Sequence, residues 1–204
     1  MTVQSGLLTI FEGADCTGKT TLAKAYAAAT GAVYHHHGPY PGLDGSALAK
    51  AYAISMLPAL TGASDVVLDR CWLSEVPYGR AFRDGANRIG RRAALLERLA
   101  ARCAALVVVM RPPWKVVRNG WEARKGAEYL DSVEQLRKVH AHYCSTGFDR
   151  ETALPFTPIY PCDKNGEFYS ANALVAEILL CHKNRDSVRS AAVADLVDAL
   201  MGEP

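Results

Sequence analysis

The chain has 204 residues, half of them hydrophobic, with a net charge of +2 at pH 7. That length suits one domain with a sizeable core, 1–204, and leaves room for a small mobile subdomain. The nearly balanced charge gives no reason to expect a surface that coats nucleic acid.

In chain order, Leu7–Phe11 is an apolar run that reads as a buried strand. Gly13-Ala14-Asp15-Cys16-Thr17-Gly18-Lys19-Thr20 follows and fits G-x-x-x-x-G-K-S/T, the phosphate-binding P-loop. Gly13 and Gly18 let the backbone turn tightly and bring its N–H groups to phosphate oxygens. Lys19 reaches the β- and γ-phosphates as a mobile charge. The Thr20 hydroxyl suits Mg²⁺, a hard cation that prefers oxygen. Asp15, Cys16, Thr17 and Thr21 complete the stretch expected to cradle ATP. Helix formers then fill Lys19–Thr30, Gly31 is a stop, and the helix start adds its positive end to the anion site.

Ala32–His36 is a second candidate strand, and Gly38–Gly42 a loop opening a helix near Ser46–Leu60. Asp65–Asp69 reads as a short strand. A helical region follows, broken near Gly85–Gly90, and Ala94–Cys103 carries apolar residues at helical spacing. Ala105–Met110 is the strongest strand, stopped by Pro112-Pro113. Residues 114–130 are charged and glycine-broken. Asp131 is a candidate N-cap with Glu134 as its capping-box partner. Its helix would carry Val133, Leu136, Val139, His140 and Tyr143. A last strand is expected at Phe156–Tyr160 and a helix at Ala171–Cys181. The tail from Asn184 has Ala191, Leu196, Val197 and Leu200 at helical spacing. It would form an extension over about 184–204 that packs on the core or builds a homodimer. Five strands alternating with helices predict an α/β fold with a parallel sheet flanked by helices.

Asp69 ends a buried strand, where P-loop enzymes hold Mg²⁺, although a turn or N-cap residue would look the same. Arg70 beside it can grip a phosphate bidentately. The two together suit transfer between two nucleotides better than hydrolysis.

Phe11-Glu12-Gly13-Ala14-Asp15-Cys16-Thr17-Gly18-Lys19-Thr20-Thr21 resembles the F-E-G-x-D-x-x-G-K-T-T opening of thymidylate kinases. Asp69-Arg70-Cys71-Trp72-Leu73-Ser74 with Tyr78 resembles their D-R-Y/H-x-x-S-x-x-x-Y/F motif, and Val107–Pro113 with Val116, Val117 and Arg118 their strand-to-lid segment. The spacing is most similar to the divergent virus-encoded deoxynucleotide kinases. The resemblance covers roughly residues 5–145 and implies a P-loop NTPase fold with a small mobile lid over about 114–130. It implies Asp15 near the acceptor 3′-hydroxyl, Arg70 on the acceptor 5′-phosphate, Asp69 and Thr20 placing Mg²⁺, and Tyr78 against the sugar, selecting deoxyribose. Arg118, Arg124 and Lys125 would lie in the lid. Cys16 stands where some thymidylate kinases carry a P-loop arginine, so Arg124 becomes the first candidate for the catalytic arginine.

Two family features are not evident. His35-His36-His37 stands where the family has an acceptor-phosphate arginine, so His37 is either a phosphate ligand or a polar strand end. The aromatic-plus-arginine segment that reads thymine is missing. Tyr52, Met56 and Leu57 are the bulky residues left there, and Trp72 either walls the base pocket or packs in the core. Trp121 and Tyr129 could flank either nucleotide. The loop 161–166 would border the donor adenine. The three histidines alternate faces, and His140 and His142 sit two apart on a helix, so no structural metal is expected.

The expected activity is ATP + dNMP ⇌ ADP + dNDP with Mg²⁺, on dTMP or a modified pyrimidine nucleotide. The alternative is a kinase for a hydroxyl of a nucleoside or of a modified base in DNA, needing Glu12 or Asp69 as base. A nucleotide switch is disfavoured, because no Asn-Lys-x-Asp motif is present. The six scattered cysteines, without a C-x-x-C pair, fit a reduced cytoplasmic protein. No export signal, membrane partner or nucleic-acid partner is expected.

Overall fold

A computed structural model describes residues 5–124 and 130–182. The expected tail extension, Lys125 and Tyr129 lie outside the described residues. Within them, five strands form one parallel sheet in the order β2-β3-β1-β4-β5. The strands are β1 (Leu8–Glu12), β2 (Val33–His36), β3 (Val66–Asp69), β4 (Leu106–Met110) and β5 (Phe156–Ile159). β1, β3 and β4 are central and buried at every residue, which is why they read as mostly apolar runs, with the buried carboxylates Glu12 and Asp69 at the ends of β1 and β3. β5 lies on the edge, where Pro158 removes no ladder bond that the sheet needs.

Helices α1 (Lys19–Thr30) and α2 (Gly45–Leu60) precede and follow β2 in the chain. Next come α3 (Glu75–Phe82), α4 (Ala93–Arg102), α5 (Trp114–Ala123), α6 (Val133–Tyr143) and α7 over 171–182. Strand alternation divides the core into two layers. Leu8, Ile10, Leu68, Val107 and Val109 face Met56, Leu96, Leu136 and Tyr143 from α2, α4 and α6. Phe11, Val67, Leu106, Val108 and Met110 face Leu22 and Tyr26 of α1 and Leu174 and Ile178 of α7.

Three local expectations change. The N-cap of α6 is Ser132, not Asp131: its hydroxyl accepts the Gln135 N–H at 3.2 Å, and the Asp131 N–H donates to the Gln135 side chain at 3.0 Å. Ser132 holds the extended backbone, so the box shifts by one residue and Glu134 falls short of it. α2 begins one residue earlier than expected, because the Asp44 carboxylate caps it, accepting from the N–H groups of Ser46 and Ala47 at 2.7 and 2.8 Å. The glycine-broken segment after Pro113 starts as a regular helix, α5. A Cβ on Gly120 would stand 3.1 Å from the Cys16 Cβ, so that glycine lets α5 approach the P-loop instead of breaking the helix.

Because every strand is parallel, Glu12, His36, Asp69, Met110 and Ile159 all end at one edge of the sheet. The loops that follow them meet there, which is where open α/β sheets bind ligands.

Candidate active site

The P-loop leaves β1 at Gly13, whose φ is 145° and where a Cβ would meet the Met110 Cβ at 3.0 Å. Only glycine fits both constraints. The Thr17 hydroxyl donates to the Ala14 carbonyl at 2.9 Å and closes the loop on itself. Lys19 then opens α1 with its side chain buried, and its Nζ lies 2.7 Å from Asp69 Oδ1. Asp69 is fully buried. Its Oδ2 accepts from the Tyr34 hydroxyl and from His36 Nδ1, each at 2.9 Å. Burial alone would raise the Asp69 pKa. The Lys19 charge and the hydrogen bonds from Lys19, Thr20 and His36 outweigh it and hold the carboxyl well below the usual carboxylate range.

Arg70 follows with φ at 75°, a left-handed backbone that a side chain rarely adopts. Its backbone N–H donates to the Phe11 carbonyl at 2.9 Å, and this turns the side chain back under the P-loop. One guanidinium nitrogen donates to the Gly13 carbonyl at 3.1 Å, another to the Asp15 carboxylate. The group lies 4.8 Å from the centre of the Tyr78 ring.

Glu12 holds this loop from below. Its Oε1 accepts the Cys71 N–H at 2.8 Å, and its Oε2 accepts the hydroxyls of Ser74 and Tyr143, each at 2.7 Å. One buried carboxylate thus links β1, the 3₁₀ turn Trp72–Ser74 and α6.

Two cavities flank the loop. The first, of about 300 Å³, is lined by P-loop residues from Asp15 to Thr21, and by His37, Tyr52, Arg70, Tyr78 and Arg124. The second, of about 630 Å³, has apolar walls from Leu22, Val116, Pro161, Phe168 and Leu174, and the expected loop 161–166 borders it. Phe168 leans against Gly18. Cys16, Gly18, Thr21 and Arg124 line both cavities and so mark their junction.

Of the residues singled out from sequence, Asp15, Cys16, Thr17, Gly18, Lys19, Thr20, Thr21, His37, Arg70, Tyr78 and Arg124 meet in the first cavity. Gly13 lies behind it, its carbonyl holding Arg70. Trp72 does not line it. The short turn after Arg70 points that ring into the core, 2% exposed and edge-on to Tyr52 at 6.2 Å, so Tyr52 presents the aromatic surface instead. Met56 is core, Leu57 is exposed, and Trp121 packs on the core and lines neither cavity. Arg118 pairs with Glu122 at 2.8 Å on the exposed side of α5 and lines neither cavity. Glu12 and Asp69, the two candidate bases for a hydroxyl acceptor, are likewise absent from the cavity walls. Sequence reasoning missed Glu75, Arg83 and Arg88, which also line the first cavity. Glu75 opens α3 next to Ser74, and Arg83 and Arg88 lie in a polar, arginine-bearing stretch after that helix.

His37 is 3% exposed, its Nδ1 is 2.8 Å from the Tyr40 hydroxyl, and its Nε2 meets no hydrogen-bond partner. Burial, with His35 and His36 nearby, pushes its pKa down from 6.5 to about 4, so the ring is neutral at pH 7. The unfolded chain takes up this proton as pH falls through 6.5 and the folded one does not until about 4. Its stability contribution is therefore present above 6.5 and lost between those values, about 3 kcal/mol in all. His35 and His140 are shifted in the same direction. Denaturant melts from pH 7 to 4.5 should show the stability of His37→Gln falling less steeply than wild type. Parallel curves would show that His37 titrates normally.

The group set gathers the P-loop, Lys19 and the Arg70 guanidinium in one cavity, with Arg124 where that cavity joins the second. No protein-family model and no curated protein sequence matches the chain. Among solved structures, YorR from Bacillus subtilis, in complex with phosphorylated GDP, is 20% identical over 88% of this chain and 98% of that one, with a TM-score of 0.61. Deoxyadenosine kinase from M. mycoides with bound dCTP is 14% identical over 88% of this chain and 100% of that one, with a TM-score of 0.53. The same enzyme with products dCMP and dCDP is 15% identical over 87% and 100%, with a TM-score of 0.54. The chain therefore shares the fold of YorR and of deoxyadenosine kinase. Among the described residues no helix is long and apolar enough to cross a membrane.

Proposed function

We propose that the protein is a deoxynucleoside monophosphate kinase that moves the γ-phosphoryl group of ATP onto the 5′-phosphate of a dNMP, giving dNDP. One observation carries the reading. Arg70 is held from three sides, by the Gly13 carbonyl, the Asp15 carboxylate and the Tyr78 ring, in the wall of a cavity that opens onto the P-loop. A fixed guanidinium in that position suits an acceptor that already carries a phosphate.

Such an acceptor needs no strong base, since a phosphate oxygen is itself the nucleophile. The chemistry is positioning plus charge stabilisation. In this reading the P-loop N–H groups and Lys19 hold the β- and γ-phosphates, and Arg70 holds the acceptor phosphate. Arg124, at the junction of the two cavities, neutralises the group in flight. Tyr78 packs on the sugar, Asp15 meets its 3′-hydroxyl, and the segment from α5 onward excludes water when it closes.

The residues fit Mg²⁺ through Thr20. Its hydroxyl lines the cavity and donates to Asp69, which leaves its oxygen lone pairs for a hard cation. Asp69 already holds Lys19, Tyr34 and His36 and lines neither cavity, so its part is to orient Thr20 and Lys19. Bound Mg²⁺ would supply charge neutralisation for the polyphosphate.

The test is ADP release from Mg·ATP across dTMP, dUMP, dCMP, 5-substituted pyrimidine monophosphates, dGMP, dAMP and the matching nucleosides. Strong stimulation by one or a few monophosphates, with their nucleosides inert, is the expected result. Stimulation by a nucleoside, or by none of the monophosphates, would sink it.

A further inference from the structure

Helix α5 meets the P-loop at Gly120, inside the helix. A Cβ there would stand 3.1 Å from the Cys16 Cβ and 3.6 Å from the Cys16 carbonyl oxygen. Carbon atoms pack best at about 3.5–4.0 Å, so a side chain at this position must push the two elements apart. Glycine is a poor helix former, and α5 gives up helix stability for this approach. Val116, Gly120 and Arg124 follow one another at i, i+4 spacing and share one face of α5. Val116 abuts Gly166, where a Cβ would meet its Cγ2 at 3.0 Å, and Arg124 lines both cavities. The first half of α5 is anchored as well. Val117 is fully buried in the core, and the Trp114 ring lies 5.6 Å from the His140 ring.

We infer that Gly120 is a positioning residue: the bare helix surface at its contact with Cys16 sets how closely the last turn of α5 sits on the P-loop, and with it where Arg124 stands. Arg124 follows Gly120 by one turn, at the end of the helix. Because Val116 and Val117 hold the first half of α5, a wedge at residue 120 displaces the half that carries Arg124. Charge stabilisation depends steeply on such placement. A shift of 1 Å costs about 10²-fold, so a few tenths of an ångström should cost about ten-fold. The inference rests on the nucleotide-kinase reading, which gives Arg124 its charge-stabilising role.

The test is a double-mutant cycle on Gly120→Ala and Cys16→Gly, read with the preferred monophosphate. Gly120→Ala should lower kcat about ten-fold and leave the acceptor KM within about two-fold, since the lost interaction belongs to the transition state. Arg70 is held by the Gly13 carbonyl and the Asp15 carboxylate, so the acceptor site should not follow α5. Alanine is the better helix former, so the melting temperature should not fall. Cys16→Gly deletes the Cβ that the wedge meets, and glycine suits the φ of 61° at that position. In the Cys16→Gly background, Gly120→Ala should therefore cost less than about two-fold in kcat. A Gly120→Ala enzyme as fast as wild type overturns the inference, as does a loss of equal size in both backgrounds. A loss confined to the acceptor KM, or one that follows a loss of folded protein, overturns it too. Each of these leaves the kinase reading standing. Turnover of no monophosphate by the wild-type enzyme overturns both.

Discussion

Lys19→Met should lower turnover with every acceptor by about 10²–10³-fold, the scale seen when one preorganised charge-stabilising donor is removed. The side chain is nearly fully buried and pairs with Asp69 at 2.7 Å. Methionine keeps the length and the apolar stem and deletes the charge. In the proposed reaction the ammonium leaves Asp69 to reach the phosphates, and the resting ion pair holds the lysine beside the P-loop. Removing one partner of a buried pair costs at most about 3–5 kcal/mol. Here Asp69 keeps the donors Tyr34, His36 and Thr20, so the variant should fold with a lowered melting temperature. The pH behaviour supplies an independent check. The Asp69 pKa is depressed in the folded protein, so its stabilising contribution is present above its ordinary value of 3.8 and is lost as pH falls below it. Without Lys19 that depression shrinks, and acid unfolding should begin at higher pH. Near-normal ADP release by a folded Lys19→Met protein would remove the P-loop from the mechanism.

Arg70→Ala should have the second-largest effect, concentrated on the acceptor. We expect kcat/KM for the preferred monophosphate to fall about 10²–10³-fold, the range for truncating one member of a buried, hydrogen-bonded charge pair. Discrimination between the monophosphate and its nucleoside should collapse with it. Arg70→Lys keeps the charge but loses the planar fork that spans the Gly13 carbonyl and the Asp15 carboxylate, and loses its stacking on Tyr78. Its activity should fall between the two. Glu12 holds the Arg70 loop through the Cys71 N–H and the Ser74 hydroxyl, so the loop should survive either change and circular dichroism should remain native. Retention of the monophosphate preference in folded Arg70→Ala would transfer the acceptor phosphate to another cation in the cavity, Arg124 first.

The residues that a single strand–loop–helix brings together are legible in the amino-acid sequence. Gly13 to Thr21 are contiguous, and their proposed function depends on backbone N–H groups whose direction the local turn sets. The same holds for the central strands, where burial on both faces favours runs of apolar residues, and for Gly31, which ends α1 in the left-handed conformation. Arg70 and Tyr78 are also within reach of sequence reasoning, because one turn of 3₁₀ and the first turn of α3 carry the chain from one to the other.

The walls of the first cavity are not. Trp72 and Tyr52 are both large aromatics near the site. Which of them faces the cavity depends on how α2 packs over β3 and on the turn that sends Trp72 inward. Glu75 meets Arg83 and Arg88 across a loop whose course depends on Arg88 reaching the Pro39 and Tyr40 carbonyls, some 48 residues earlier in the chain. The sequence by itself determined the strand–loop–helix around Gly13–Thr21 and the central strands, because contiguous backbone conformation and burial on both faces leave a local signature. Only the tertiary structure decided what stands opposite the cradle, because side chains far apart in the chain acquire a common direction only when helices and loops pack.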